Sequence, residues 1–159
     1  FDSFLDTYTR KEAARHFTIG PMKYADLKQL VKSCPNIYSL DLSSYKTLLS
    51  SDLMHIAKLK DLNFLHLSGC KDIQDFSLFL PSTVKNLTLE NCPTLTDEVL
   101  IQFGALNELK TLTLIGCKEI SLNGFKGFNL LTSLHLKECP NVSVEKLQEQ
   151  FPKLKITCE

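Results

Sequence analysis

The chain has 159 residues, 43% hydrophobic and 23% charged, the make-up of an ordinary globular protein. A chain of this length suits one domain, whose core hides roughly 70% of the surface that the unfolded chain exposes. Basic and acidic residues balance at 18 each, so no net field draws in nucleic acid or an anionic membrane, and no apolar run approaches the roughly 20 residues of a membrane span.

With Phe1 rather than Met first, and no signal-peptide layout, the sequence is expected to be a piece of something longer. Phe1, Phe4, Leu5 and Tyr8 fall at i, i+3, i+4 and i+7, the spacing of one apolar helix stripe. Residues 1–13 are therefore expected to form an amphipathic capping helix, and residues 14–159 the main domain. Phe17-Thr18-Ile19 reads as a first strand, followed by a helix over Met22 to Ser33.

From Ile37 onward the chain repeats itself. Ile37 to Tyr45, Leu62 to Cys70, Val84 to Cys92, Leu109 to Cys117 and Leu131 to Cys139 share the pattern LxxLxLxxC, with Tyr45 in the cysteine slot of the first. Three residues past that slot stands an aliphatic each time: Leu48, Ile73, Leu95, Ile120 and Val142. Eight past it stands another large apolar residue: Leu53, Leu78, Leu100, Phe125 and Leu147. Such self-similarity at a fixed period marks a stacked repeat architecture.

The alternation in LxL predicts a short strand with one buried face, and the wider spacing downstream predicts a helix or 3-10 turn covering that face. One unit cannot bury its own apolar side, so the units must stack in a line, strands parallel along one side. Helices are wider than the ~4.8 Å strand spacing, so the stack curves with its strands on the concave face. Successive units begin at residues 37, 62, 84, 109 and 131, in steps of 25, 22, 25 and 22. The long units have room for helices over Ser51 to Leu59 and Asp97 to Phe103. The short ones carry Pro81-Ser82-Thr83 or Gly124 and Gly127, which favour clipped turns. Phe151, Leu154 and Ile156 take the strand positions of a last, degenerate unit, for seven strands in all.

Cys70, Cys92, Cys117 and Cys139 lie 22, 25 and 22 residues apart, and none belongs to a CxxC pair. Metal sites need clustered ligands, whereas one thiol per repeat at a fixed place is expected to be buried and structural. Reduced thiols of this kind imply a reducing, intracellular (cytoplasmic) location.

These motifs resemble the cysteine-containing subclass of leucine-rich repeats found in F-box/leucine-rich-repeat ubiquitin-ligase receptors. The stretches that carry the likeness are Cys92-Pro93-Thr94-Leu95-Thr96-Asp97 and Leu27 to Ile37, similar to the subclass's "C-x-x-I-T-D" turn and "L-x-x-L-x-x-x-C-P-x-L" helix end. The resemblance spans about residues 14–159. It implies an α/β leucine-rich-repeat solenoid of about seven repeats, a right-handed curved stack with helices or 3-10 turns on its convex side. It also implies a protein-binding module that selects the substrate of a ubiquitin-ligase adaptor. The stretch before residue 14 is far shorter than the F-box of that family. Similar repeats occur in structural and host-directed bacterial interaction proteins with no ligase link, which is the alternative function.

Catalysis is the third reading. A Cys/His nucleophile needs both side chains within hydrogen-bond reach, but the regular cysteines are expected to point inward and His66 and His135 outward. Those two histidines stand three strand steps, roughly 14 Å, from one another, too far to share a metal. Asp41 and His66 share a column on adjacent strands, where a surface pair is expected. Asn86-Leu87-Thr88 and Asn141-Val142-Ser143 match the glycosylation sequon, which an intracellular protein would not use. No enzyme activity and no cofactor are expected, and no nucleic-acid, membrane or small-molecule partner.

The sheet's solvent side remains. Its central column is expected to run Thr18, Asp41, His66, Thr88, Thr113, His135 and Lys155. The column before it runs His16, Ser39, Phe64, Asn86, Thr111, Ser133 and Lys153; the one after adds Ser43, Ser68, Glu90, Ile115 and Lys137. Most of these residues are small and polar, whereas Tyr38, Phe64 and Ile115 break the pattern. Charge sorts along the face, acidic at Asp41 and Glu90, basic at Lys137 and Lys155. The expected partner-binding residues are Tyr38, Asp41, Phe64, His66, Asn86, Glu90, Ile115, His135 and Lys137, facing a protein.

Overall fold

A computed structural model describes residues 15–18, 27–45, 48–71 and 80–159 of the chain. The capping helix expected over residues 1–13 lies outside the described residues, as do positions 22–26 of the first predicted helix.

Seven strands form one open, all-parallel sheet in chain order: β1 (His16–Thr18), β2 (Ser39–Leu42), β3 (Phe64–Ser68), β4 (Asn86–Glu90), β5 (Thr111–Ile115), β6 (Ser133–Lys137) and β7 (Lys155–Cys158). The segments between them carry helices α1 (Leu27–Ser33), α2 (Ser50–Ile56), α3 (Asp97–Gln102) and α4 (Val144–Gln150). Short 3-10 helices span Phe103–Ala105 and Leu122–Phe125. Burial alternates along β3 to β6, with the two leucines of each LxL buried and the residues between them at the surface. The leucines of neighbouring strands pair in register, Leu40 to Leu65 to Leu87 to Leu112 to Leu134. One continuous core results, closed from the other side by Leu53, Leu100, Phe125 and Leu147.

Element lengths follow the steps. The 25-residue units hold α2 and α3, whereas the 22-residue unit between β5 and β6 holds only the 3-10 turn over Leu122–Phe125. Close approach makes that turn possible. A side chain at Gly124 would place its Cβ 2.7 Å from Asp97 Oδ1 and 2.8 Å from Leu100 Cδ2, so the bare backbone packs directly on α3. Asp97 locks the two units together, its carboxylate accepting from the Ser121 backbone N–H at 2.6 Å and the Ser121 hydroxyl at 2.5 Å. Ser121 in turn accepts from Asn123 N–H and caps the turn, as Ser143 does for α4. The helix ends fall short of expectation, at Ile56 and Gln102, the chain tightening past Gln102 into 3-10 geometry.

Two features recur at the strand ends, the first in the four units whose slot holds cysteine and the second at the entries of β2 to β6. Just before the cysteine slot, Gly69 (φ 64°), Asn91 (51°), Gly116 (63°) and Glu138 (54°) all adopt the left-handed conformation, turning the chain so that the next side chain points inward. At the strand entry, two successive N–H groups share one carbonyl of the preceding unit. Tyr38 and Ser39 both donate to Arg15 O, Asn63 and Phe64 to Tyr38 O, and Lys85 and Asn86 to Asn63 O. This bulge-like step breaks strict alternation at the first residue of each pair.

Two expectations need correction. Leu134 pairs with Ile156 and His135 with Thr157, so β7 sits two residues out of the predicted register. Its central-column residue is Thr157, with Lys155 beside Ser133 and Lys153 outside the strand. The error preserved the inward face because a two-residue slip does so; the pairing keeps the 22-residue step of the short units. Cys70, Cys92 and Cys117 are fully buried, but Cys139 is only half-buried, because the last unit covers it less completely.

Candidate functional site

The expected binding residues lie on the solvent side of the sheet and divide into two groups. The first spans β1 to β4. The rings of His16, Tyr38 and Phe64 form a row, with centroids 5.7 Å and 5.6 Å apart in edge and tilted contacts. The bulge-like strand entry lets Tyr38, which precedes β2, reach this row. At its middle ring the Arg15 guanidinium carbon lies 5.3 Å from the centroid of Tyr38. At its far end Phe64 is 42% exposed, although it has no place in the core.

Beside the row, on the next column, His66 stands between two carboxylates. Its Nδ1 lies 3.4 Å from Asp41 Oδ1 on β2, and its Nε2 lies 3.3 Å from Glu90 Oε2 on β4. Asp41 also accepts from the Ser43 backbone N–H at 2.8 Å, and the Asn91 amide donates to the other Glu90 oxygen at 3.4 Å. All three side chains keep about a third of their surface in solvent. Asn86 adjoins this group, its amide donating to Asn63 Oδ1 at 3.0 Å.

The second group lies at the other end. His135 contacts the hydroxyls of Ser133 and Thr157 through its two ring nitrogens. The Lys137 ammonium pairs with Glu159 at 3.5 Å on the exposed surface. Ile115 is half-buried and lies in register between Glu90 and Lys137, so it joins the groups without belonging to either. The sheet therefore gathers Tyr38, Asp41, Phe64, His66, Asn86 and Glu90 in one patch and sets His135 and Lys137 apart. Sequence reasoning put His16 in the column of Phe64 but counted neither it nor Arg15 among the binding residues, although both belong to the aromatic row. The signal was present in the 23-residue step from Phe17 to Leu40, which brings His16 beside Ser39.

The thiols form a second line through the core. Hydrogen bonding to Cys92 and burial push the Cys70 thiol up, and Cys117 is pushed up in the same way by Cys139 and burial. Cys139, accepting from the Cys117 thiol, is lowered to about 7. All six cysteines are unpaired. Among the described residues no group of three or more His, Cys, Asp and Glu side chains is placed to hold a metal ion. No described helix is long and apolar enough to cross a membrane.

No family model matches the sequence, and no curated protein does. Among solved structures, the chain is similar to the crystal structure of internalin C2 from Listeria monocytogenes, a leucine-rich-repeat protein, with a TM-score of 0.63. The fold is a leucine-rich-repeat solenoid. The two sequences are 21% identical, and the match covers 91% of this chain and 60% of that one. This solenoid thus spans about 60% of the length of the protein it resembles, and the likeness concerns the fold alone.

Proposed function

We propose that this solenoid is a protein-binding module whose partner lies across the strand side of the sheet, centred on β2 to β4. The observation that carries the reading is Phe64: an aromatic ring 42% exposed, in tilted contact with Tyr38 and beside an Asp–His–Glu row, with no role in the core. Exposed aromatic side chains within a polar surround are where binding energy concentrates. Seven strands at ~4.8 Å spacing give a surface roughly 30 Å across, enough for a standard interface. The free thiols support a reducing intracellular location.

Affinity capture with the native chain, Phe64→Ala and Lys58→Ala tests this. Lys58 is exposed just beyond α2, away from the strand side. A partner held by the native chain is expected to bind Phe64→Ala roughly thirtyfold more weakly, about 2 kcal/mol, and Lys58→Ala normally. The reverse order would move the function to the helices. The cysteine slot favours a narrower reading, in which the captured partner is the substrate of a ubiquitin ligase. Co-purification of a ligase core with the full-length protein tests that reading, and its absence would leave the interaction module alone.

A further inference from the structure

The chemistry of the β1–β4 patch suits one kind of partner group. Its aromatic row already accepts a guanidinium at the middle ring, where Arg15 lies over Tyr38, while Phe64 at the end stays exposed. Aromatic faces attract cations through the ring quadrupole. Next to Phe64 the only formal charges in the strand columns of β2 to β4 are the carboxylates of Asp41 and Glu90, both partly open to solvent. The chain as a whole carries a net charge of zero and Arg15 lies over Tyr38, so the negative character is confined to the Asp41–Glu90 side of the patch.

The groups facing His66 are the Asp41 carboxylate from β2 and the Glu90 carboxylate from β4, one at each ring nitrogen. A neutral imidazole has a single N–H. It donates to one carboxylate and turns a nitrogen lone pair towards the other, which sets two acceptors face to face. An imidazolium satisfies both. A cation brought by a partner does the same work without the proton.

We propose that this patch docks a basic segment of a partner protein. An arginine or lysine side chain of that segment sits on the Asp41 and Glu90 carboxylates beside the Tyr38–Phe64 rings. The inference rests on the strand-side reading given above and adds the partner's chemistry to it.

The probe is a capped tetra-arginine peptide titrated calorimetrically into the full chain, with a capped tetra-glutamate peptide as its counterpart. Tetra-arginine is expected to bind and tetra-glutamate not to. The double variant Asp41→Asn/Glu90→Gln is expected to weaken tetra-arginine binding about tenfold. Glu98→Gln/Glu149→Gln, which removes the same charge from exposed helix positions, should weaken it less than about twofold. Circular dichroism of each variant checks that it is folded. The proposal is overturned if tetra-arginine does not bind, or if the helix-side variant loses as much as the strand-side one. A captured partner that needs Phe64 but ignores Asp41→Asn/Glu90→Gln would also overturn it, while leaving the strand-side function standing.

Discussion

On the central strand β5, Leu112 is fully buried while its neighbour Thr113 is half-buried on the solvent side. Truncating the leucine removes apolar contacts on a sheet that cannot collapse into the gap. Leu112→Ala is expected to cost roughly 2–5 kcal/mol, and Thr113→Ala less than ~0.5 kcal/mol, by urea unfolding. Equal costs would mean a register error of one residue. Among the cysteines the same logic of burial separates reactivities. Thiolate is the reactive form, and Cys139 combines partial exposure with a thiol lowered to about 7 by the hydrogen bond from Cys117. In a Cys34→Ser/Cys158→Ser background, iodoacetamide should label Cys139 first, its rate rising with pH through about 7. Cys70 and Cys117, buried and raised, should react only on unfolding. Labelling of all four at one rate would contradict the buried ladder.

Each repeat also depends on backbone positions that no apolar pattern reveals. Gly69 sits at φ 64° with no atom within 4 Å of where a Cβ would stand, so Gly69→Ala isolates the cost of the left-handed backbone. A loss of about 1–2 kcal/mol is expected. Gly124→Ala acts through space instead, forcing a Cβ against Asp97 Oδ1 and Leu100 and disturbing the Asp97–Ser121 bonds. It should destabilise by about 1–3 kcal/mol, measured the same way. A neutral Gly124→Ala would mean that the short unit is not held by that close packing. Asn91 and Glu138 occupy the column of Gly69 without being glycine; asparagine tolerates the conformation, and nothing in the structure explains the glutamate.

At the scale of the whole solenoid, each unit touches only its neighbours, so stability falls towards the ends. The edge strand β7 pairs only with β6, and all its residues are exposed except the half-buried Ile156. Amide exchange is therefore expected to be at least about tenfold faster in β7 than in the inner strands β4 and β5. Uniform protection across the sheet would show that the solenoid opens only as one cooperative unit.

The repeat itself was legible from residues alone, because a unit that must bury leucines against copies of itself repeats the same apolar positions. LxxLxLxxC determined five strands, their inward faces and the alternation of long and short connections. It placed Asp41 beside His66, because equal steps put equal positions side by side. The weak places were the ends. Phe151, Leu154 and Ile156 satisfy two registers equally well, and only pairing with β6 chose between them. Tertiary structure alone decided that two strand-entry N–H groups share a carbonyl and so turn Tyr38 into the row with Phe64. It alone set Glu90 on the second nitrogen of His66, and left Cys139 less covered than its three predecessors. These outcomes depend on where side chains from different repeats meet, and a one-dimensional pattern records the repeat but not the meeting.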